Sequence, residues 1–390
     1  MRIAIVFPHL ASNTEERNTY NISIRERFLS KRLNESGHES FLCYLTHETD
    51  SFKLGKGASA AHFYPIDDMS RTKSKRFYTS MLLGQALAEF NPEIVVFKGM
   101  GYILPWWLYH NNYFSGKIIF IVGGNPKDIL LPATTYVFSE YVSQLKRIYA
   151  GFTKTGRAML LGKYIPDLDF GNTGKKEFDI VSVGAISRRK NHRALVPFFK
   201  QYKVVIVGEG PELEKIKEAA SGNSNVVFTG AVLKEQVAEY IQRARIMVHP
   251  SKNEGFPRVF AESFAAGVPV VALKRAIKGD FPGNVAGLLV KEQELEKEVT
   301  ELLKDKKRIR EYSQNAFHIA ESYRGENIFR QFLKGIEIAE KQKPITSLRF
   351  FFLSKFLLPL RYLFWFLDHH FYNYARRIKR KMFLFLFGQE

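Results

Sequence analysis

One segment in the second half of the chain constrains the fold most strongly. A strand-like run at 246–249 is followed by a loop, a short helix and a second apolar run at 269–272. Pro257 suits the first turn of that helix, and Gly267 can take the left-handed conformation that ends it. Because two neighbouring buried strands joined through a helix run parallel, the segment predicts an α/β domain with a parallel sheet.

The same segment, NEGFPRVFAESFAAGVPVVA at 253–272, holds two glutamates with seven residues between them. Glu254 lies in the loop and Glu262 lies on the helix. In such folds, loops at the carboxyl ends of the strands bind ligands, and free N–H groups at a helix start favour phosphate. The pair predicts a site in which the two carboxylates bind two hydroxyl-bearing parts of one ligand, such as a sugar and a ribose. The alternative is a solvated glutamate pair on an ordinary βαβ unit.

The combination of Pro250-Ser251, Glu254-Gly255-Phe256-Pro257, Glu262 and the run AGVPVV at 266–271 resembles the signature of the family 4 retaining glycosyltransferases. These are enzymes of the GT-B fold that use nucleotide sugars. The resemblance covers 178–340 by motif and 1–165 by architecture only. It implies that Glu254 holds hydroxyls of the donor sugar and that Glu262 holds the ribose.

The resemblance also implies a domain plan. We expect an α/β chain with two Rossmann-like doubly wound domains facing a cleft, plus a basic, aromatic, helical tail. The acceptor-side domain is expected at 1–165, a linker at 166–177, the nucleotide-sugar-binding domain at 178–343 and the tail at 344–390. Periodicity predicts strands at 2–7, 40–45, 94–98, 117–122, 136–139, 178–184 and 287–290, and helices at 22–35, 75–90, 192–202, 211–220, 292–304, 309–322 and 327–341.

A basic loop follows the predicted strand 178–184 and contains Arg188, Arg189 and Lys190. Three cations at the carboxyl end of a strand suit a diphosphate, and the alternative is a basic surface loop. By resemblance, Lys190 is the phosphate-binding lysine, while the arginine that precedes it in the family falls at Ala185 in this chain.

The remaining site residues are implied by the resemblance. The expected catalytic residues are Glu254 and Lys190. The expected donor-binding residues are Arg188, Arg189, Gly208, Gly230, Val232, Gly255, Phe256, Pro257, Arg258 and Glu262. The nucleotide sugar acts as co-substrate, and neither a cofactor nor a metal is expected, since the Asp167-x-Asp169 pattern lies in the interdomain linker.

The first domain departs from the family pattern at two places. The family usually has a glycine pair after the first strand, where this chain has PHLASN at 8–13. It often has a histidine after the strand matched by 118–122, where Gly123-Gly124-Asn125 stand instead. His9 and His110 are candidate substitutes, although each also suits a structural or surface role.

The net charge of +19 and the 14% aromatic content indicate an anionic partner. Residues 348–387 combine fourteen aromatic residues with eight Lys or Arg. Basic residues recur through the apolar run, and a charge at the bilayer centre costs about 2.5–3.5 kcal/mol. The tail is therefore expected to lie on an anionic membrane surface rather than to span the membrane. Nucleic-acid binding, an oligomer interface and docking on the first domain are the alternatives.

Together these features and the resemblance predict a hexosyltransferase, which the resemblance implies to be retaining and metal-independent. It would move a sugar from a nucleotide-diphosphate sugar to a membrane-associated glycan or lipid-linked acceptor, as in lipopolysaccharide or other polysaccharide synthesis. The alternative is a non-catalytic, membrane-attached nucleotide-sugar binder or partner subunit. The single Cys43 and the strand-like start favour the cytoplasm, on the inner face of the membrane. Nucleic acid is not an expected partner.

Overall fold

The computed structural model describes residues 1–10, 24–55, 57, 60–68, 75–99, 102–122, 133–145, 156–165, 176–277, 281–344 and 360. The chain divides into two compact units. Unit 1 comprises Met1–Glu140, Gln144–Leu161 and Gln331–Glu390, and unit 2 comprises Tyr141–Ser143 and Gly162–Arg330. Each unit is built around its own sheet.

Unit 1 has an eight-stranded sheet in the order β3-β4-β2-β1-β5-β6-β7-β8. Every neighbouring pair is parallel except β3 with β4. The strands are β1 (Arg2–Leu10), β2 (Glu39–Thr46), β3 (Phe52–Leu54), β4 (Ala61–Pro65), β5 (Ile94–Lys98), β6 (Lys117–Val122), β7 (Thr134–Ser139) and β8 (Ala158–Leu160). The helices are α1 (Ile24–Glu35), α2 (Met81–Phe90), α3 (Ile103–His110) and, after β7, the short α4 (Val142–Leu145).

Four aromatic rings stack across one face of this sheet. Phe7, Tyr44, Phe63 and Phe52 occupy paired positions on β1, β2, β4 and β3. Their successive ring centroids are 4.4, 5.1 and 4.5 Å apart, with interplanar angles of 16° or less. Because cross-strand aromatic pairs each add to the energy of burial, the ladder stabilises this register of the four strands.

Unit 1 also holds a cluster of four charges, two of them buried and two half-buried. Arg25 and Glu26 start α1, Lys98 ends β5, and Glu140 follows β7. Arg25 Nη2 donates to Glu140 Oε1 at 3.0 Å, and the Lys98 ammonium lies 3.5 Å from Glu26 Oε1. Arg25 also bonds Glu26, and Lys98 also bonds Glu140. Two cations thus bridge two carboxylates and fasten one helix to the ends of two strands.

Unit 2 has a six-stranded parallel sheet in the order β11-β10-β9-β12-β13-β14. Its strands are β9 (Phe178–Val183), β10 (Val204–Val207), β11 (Val226–Phe228), β12 (Ala244–His249), β13 (Val270–Leu273) and β14 (Gly287–Val290). The helices are α5 (Leu213–Ala219), α6 (Lys234–Gln242), α7 (Arg258–Ala265), α8 (Leu295–Lys304) and α9 (Lys306–Ala320). α10 (Gly325–Lys341) begins in unit 2 and continues into unit 1 from Gln331. The strand order reverses between β9 and β12, so ligands are expected at their carboxyl ends.

The predicted α/β class and its parallel sheets are confirmed, and β5, β6 and β14 have the predicted bounds. The helix predicted at 192–202 is wrong: a 3-10 helix runs over His192–Phe198 with Pro197 inside it, because proline removes a helical hydrogen bond. The helix predicted at 75–90 is also interrupted. A 3-10 turn covers Lys75–Phe77, and α2 begins only after Ser80, whose side chain caps it.

The division into units differs from the predicted domain plan near the end of α10. Residues 331–343 were expected in the second domain, yet they group with unit 1. Phe332 of α10 stacks on Phe138 of β7 with ring centroids 5.4 Å apart, and Arg157 donates to the Lys343 carbonyl at 2.7 Å. These contacts join the last turns of the helix to the first sheet.

Several predicted features lie outside the described residues. They are the sequence 11–13, Gly123-Gly124-Asn125, the linker at 166–175 and the tail apart from 344 and Leu360. In the part of the chain that is described, no helix has the length and apolar character needed to cross a membrane.

The buried charges of unit 1 yield a stability prediction. Replacing Glu26 by Ala removes the carboxylate that lies between Arg25 and Lys98, and leaving buried charge uncompensated costs about 3–5 kcal/mol. We expect urea unfolding followed by circular dichroism to show a loss of that size. Glu35→Ala on the same helix is the control, because Glu35 is itself exposed and pairs with the exposed Lys31 and the half-buried Arg32, and its loss is expected to leave the midpoint nearly unchanged. Equal midpoints for both variants would contradict the prediction.

Candidate active site

Two loops meet at the point where the strand order of unit 2 reverses. One follows β9 and carries Lys190, and the other follows β12 and carries Glu254. They are tied by hydrogen bonds that do not involve these two side chains. Lys252 N donates to the Arg189 carbonyl at 2.8 Å, and Asn191 Nδ2 donates to the Pro250 carbonyl at 3.2 Å. A backbone bond and an uncharged side chain therefore hold the two loops together independently of the charges.

Glycines at the strand ends let the backbone and Lys190 pack closely. Gly184, with φ +144°, lies under the lysine stem, and a Cβ there would be 3.6 Å from Lys190 Cε. Gly208 follows β10 and donates its N–H to the Gly230 carbonyl at 2.9 Å. A Cβ at Gly208 would lie 2.2 Å from the Gly184 carbonyl oxygen, so only glycine fits there. The backbones of the predicted donor-binding residues Gly208 and Gly230 thus lie in contact with each other, and Gly208 also packs against Gly184.

The Glu254 carboxylate is the centre of the polar contacts. Its Oε1 accepts from Lys190 Nζ at 2.7 Å, from Arg189 Nη1 at 2.7 Å and from Ser251 Oγ at 2.9 Å. His249 Nε2 lies 3.7 Å from the same oxygen. Lys190 and Glu254 are 14% and 13% exposed, so both reach the surface only at their tips. The predicted Arg189, Lys190 and Glu254 are therefore in direct contact.

The surroundings make Glu254 an anion and its histidine neighbours neutral. Burial by itself raises the pKa of the Glu254 carboxyl, but the hydrogen bonds from Lys190 and Ser251 and the charge of Lys190 hold that pKa well below its usual value. Burial lowers the pKa of His249. Burial, with His249 and Lys190 nearby, lowers the pKa of His192 to about 4.

Glu262 lies on α7 in the turn after Arg258, as the spacing predicted. It is 8% exposed, so α7 buries this carboxylate almost completely. The Glu254-Gly255-Phe256-Pro257 loop leads directly into α7, and Pro257 is the N-cap residue.

The other predicted site residues differ in how far their side chains are exposed to solvent. Phe256 is buried against Phe260 and Tyr323, each with a centroid distance of 5.7 Å, so its ring supports the loop. Val232 is half-buried and Arg258 is exposed. Arg188 is 89% exposed and lies 3.8 Å from Glu212, outside the contacts around Glu254.

Sequence reasoning missed three contributors. Ser251 belonged to the motif but was given no role, although its hydroxyl bonds Glu254. In the sequence, His249 suits packing or an ordered hydrogen bond in the run at 246–249, and His192 stands at the start of the predicted helix. Both histidines are 2% exposed. His249 has apolar neighbours in the sequence and His192 lies between Asn191 and Arg193, and neither context indicates a buried imidazole near charged groups.

The histidine environment predicts a pH dependence of stability. Between pH 6.5 and about 4 the unfolded chain protonates His192 and the folded chain does not. The free energy of unfolding therefore falls as the pH drops through this range. Above pH 6.5 the contribution of His192 to that free energy does not change with pH. From pH 7.5 to 5.0 the loss from His192 is about 2 kcal/mol. Urea unfolding at both values, with His192→Gln as the comparison, checks this. Equal pH effects in the wild type and the variant would refute it.

Comparison with known proteins adds a family. Residues 167–318 match the family model described as "Glycosyl transferases group 1". The alpha-monoglucosyldiacylglycerol synthase of Streptococcus pneumoniae is 31% identical over 106 residues, 25% of this chain and 24% of that protein. A putative teichuronic acid biosynthesis glycosyltransferase of Bacillus subtilis is 33% identical over 119 residues, 30% of this chain and 28% of that one. The chain thus spans less than a third of the length of these two curated relatives.

Solved structures establish the architecture. The lipopolysaccharide outer core galactosyltransferase WaaB superposes with a TM-score of 0.63 at 13% identity, covering 86% of this chain and 99% of that one. The sucrose-phosphate synthase of Thermosynechococcus elongatus gives 0.62 at 18% identity, covering 86% and 98%. At these identities the likeness concerns the fold alone. The chain has the GT-B fold, and its segment 167–318, less than half of the chain, matches the model of the glycosyl transferases group 1.

Proposed function

We propose that this protein is a retaining, metal-independent glycosyltransferase that uses a nucleotide-diphosphate sugar. The observation that carries the proposal is the contact of Glu254 with Lys190 and Arg189, at the strand-order reversal of a group 1 glycosyl transferase domain. A carboxylate beside two cations suits a ligand that has both hydroxyls and a diphosphate. The relatives named above are glycosyltransferases by their descriptions, which supports the same reaction class.

The leaving diphosphate needs positive charge around it. Breaking the bond between the anomeric carbon and the phosphate oxygen develops negative charge on the diphosphate, and donors already in place stabilise it. Lys190 and Arg189 supply two charged donors. Gly255 and Phe256 precede α7, and in the described part of the chain their N–H groups are bonded to no carbonyl. These N–H groups at the helix start suit the phosphate oxygens.

The carboxylates take the uncharged parts of the donor. Once Lys190 turns to the diphosphate, Glu254 is free to accept hydrogen bonds from sugar hydroxyls. Glu262 on α7 holds the ribose, and the backbone at Gly230 and Val232 borders the base. A structure of Anabaena HepE holds UDP-glucose, and a donor of that class is what we propose here.

We also propose that the acceptor is a glycan or lipid at a membrane surface. The S. pneumoniae relative is described as a glucosyldiacylglycerol synthase, which supports a lipid acceptor. The basic, aromatic sequence of the tail supports attachment to anionic lipid on the cytoplasmic side.

Donor chemistry can be tested with two variants and a matched control. We expect Lys190→Met to lower kcat/KM by about 100- to 1,000-fold, since it removes a donor to the leaving group. Glu254→Gln is expected to stop transfer. UDP or GDP should bind this variant at least as tightly as the wild type, because Lys190 no longer has to break an ion pair with Glu254 before it contacts the diphosphate. Lys252→Met removes one positive charge from the loop that carries Glu254, and this control variant should retain activity.

The assay begins with a thermal-shift screen of UDP, GDP, ADP and their sugars. The stabilising donor is then incubated with the full chain and membrane lipid extract, product is followed by mass spectrometry, and its anomer is assigned by NMR. Stabilisation without product would favour a non-catalytic binder. Product from Glu254→Gln at the wild-type rate would refute the role given to Glu254.

Membrane attachment is tested by flotation with liposomes. The full chain should float with vesicles containing phosphatidylglycerol, and a chain ending at residue 343 should not. Replacing Arg376, Arg377, Lys379, Arg380 and Lys381 by Gln removes attraction worth about 1 kcal/mol per cation. That variant should lose selectivity for anionic over neutral vesicles. A full chain that remains in the soluble fraction would refute the attachment.

A further inference from the structure

His249 is a buried polar side chain that lies behind the proposed donor site. It is the last residue of β12 and is 2% exposed. One edge of its ring packs against Phe260, with centroids 5.1 Å apart and planes nearly perpendicular. Its Nε2 has no hydrogen-bond partner in the part of the chain that the structure describes. Since Nε2 points to Glu254 Oε1 at 3.7 Å, an unpaired polar atom faces the central carboxylate of the site.

The contacts of Glu254 explain why that distance is long. A carboxylate oxygen has two lone pairs, and those of Oε1 are shared among three donors, Lys190, Arg189 and Ser251, at 2.7 to 2.9 Å. These donors occupy the space around Oε1, so His249 remains beyond hydrogen-bond distance. Burial and the two nearby cations keep the imidazole neutral, and a neutral ring carries one N–H that can sit on Nε2.

Donor binding changes this balance, an argument that rests on the function proposed above. The donor's diphosphate attracts the Lys190 ammonium, and Glu254 Oε1 then loses one of its three donors. A shift of about 1 Å brings Nε2 to hydrogen-bond distance. We propose that His249 is a positioning residue that donates to Glu254 when Lys190 moves to the diphosphate, and so holds the carboxylate where it meets the sugar hydroxyls.

The alternative is that His249 only fills space beside Phe260. A packing role requires a ring and no donor, so a phenylalanine would serve it equally well. A positioning role requires a hydrogen-bond donor at the place of Nε2, which a glutamine amide supplies. His249→Phe and His249→Gln therefore form a matched pair that separates the two roles.

The first test does not depend on turnover. In Lys190→Met, with no nucleotide present, Glu254 has lost the competing donor. We expect imidazole ¹⁵N–¹H NMR of histidine-labelled full chain to show a His249 Nε2–H signal that is shifted downfield and protected from exchange, relative to wild type. Adding UDP or GDP to the wild type should cause the same change. An unchanged His249 signal in Lys190→Met would overturn the proposal.

The second test uses activity and a double-mutant comparison. With UDP-glucose and GDP-mannose assayed in parallel, His249→Phe should bind free UDP or GDP as the wild type does, within about twofold, yet lose about tenfold or more in kcat, as when other supporting partners of functional groups are removed. His249→Gln should recover much of that loss. In a Glu254→Gln background, which has no transfer to measure, His249→Phe should not change the thermal shift caused by UDP-glucose or GDP-mannose, since its role passes through Glu254.

The outcomes separate this inference from the proposed function. Wild-type kcat in His249→Phe, or equal losses in the Phe and Gln variants, would overturn the positioning role while leaving the glycosyltransferase intact. A wild-type chain that neither binds nor consumes any nucleotide sugar would overturn the proposed function, whereas the NMR result in Lys190→Met would still decide whether His249 reaches Glu254.

Discussion

The contact between Glu254 and Lys190 is the central interaction of the candidate active site in unit 2. The two side chains come from different loops, and they meet because β9 and β12 are neighbours in the sheet. An ion pair at this depth contributes little net stability, since the charges lose much of their hydration. The ion pair therefore serves mainly to hold the two side chains in place. A backbone bond and the Asn191 amide hold the loops, so a movement of the lysine side chain would leave these contacts in place.

The two units use buried charge in different ways. In unit 1, Arg25 and Lys98 each bridge Glu26 and Glu140, and cations and carboxylates are present in equal number. In unit 2, two cations and a hydroxyl surround one carboxylate oxygen, and a histidine remains unpaired beside them. A closed set of charges resists change, because moving any member leaves another unpaired. An open set can be rearranged by a ligand.

Local sequence signals predicted the regular elements well where a single principle decided them. Continuous apolar runs located β5 and β6, and Pro257 and Gly267 bracketed α7. The failures have physical causes. β3 is a three-residue edge strand, and β4 is a five-residue strand beside it whose pairing with β2 joins residues about twenty apart in the chain. The region at Pro197 has a helical sequence pattern but lacks the hydrogen bonds that an α-helix requires. The end of α10 could not be assigned to a unit, because an apolar helix face does not specify which sheet it covers.

The sequence by itself determined the class of fold, the order of strands and helices in unit 2, and the motif residues Lys190, Glu254 and Glu262. These depend on short-range periodicity, turn chemistry and spacing, all of which are local properties. Only the tertiary structure decided that Arg189 rather than Arg188 contacts Glu254, that Gly184 underlies Lys190, and that His249 faces the carboxylate. Such choices depend on distances between residues far apart in the chain. Those distances are defined only after the parallel strands have paired and the loops at their ends have met.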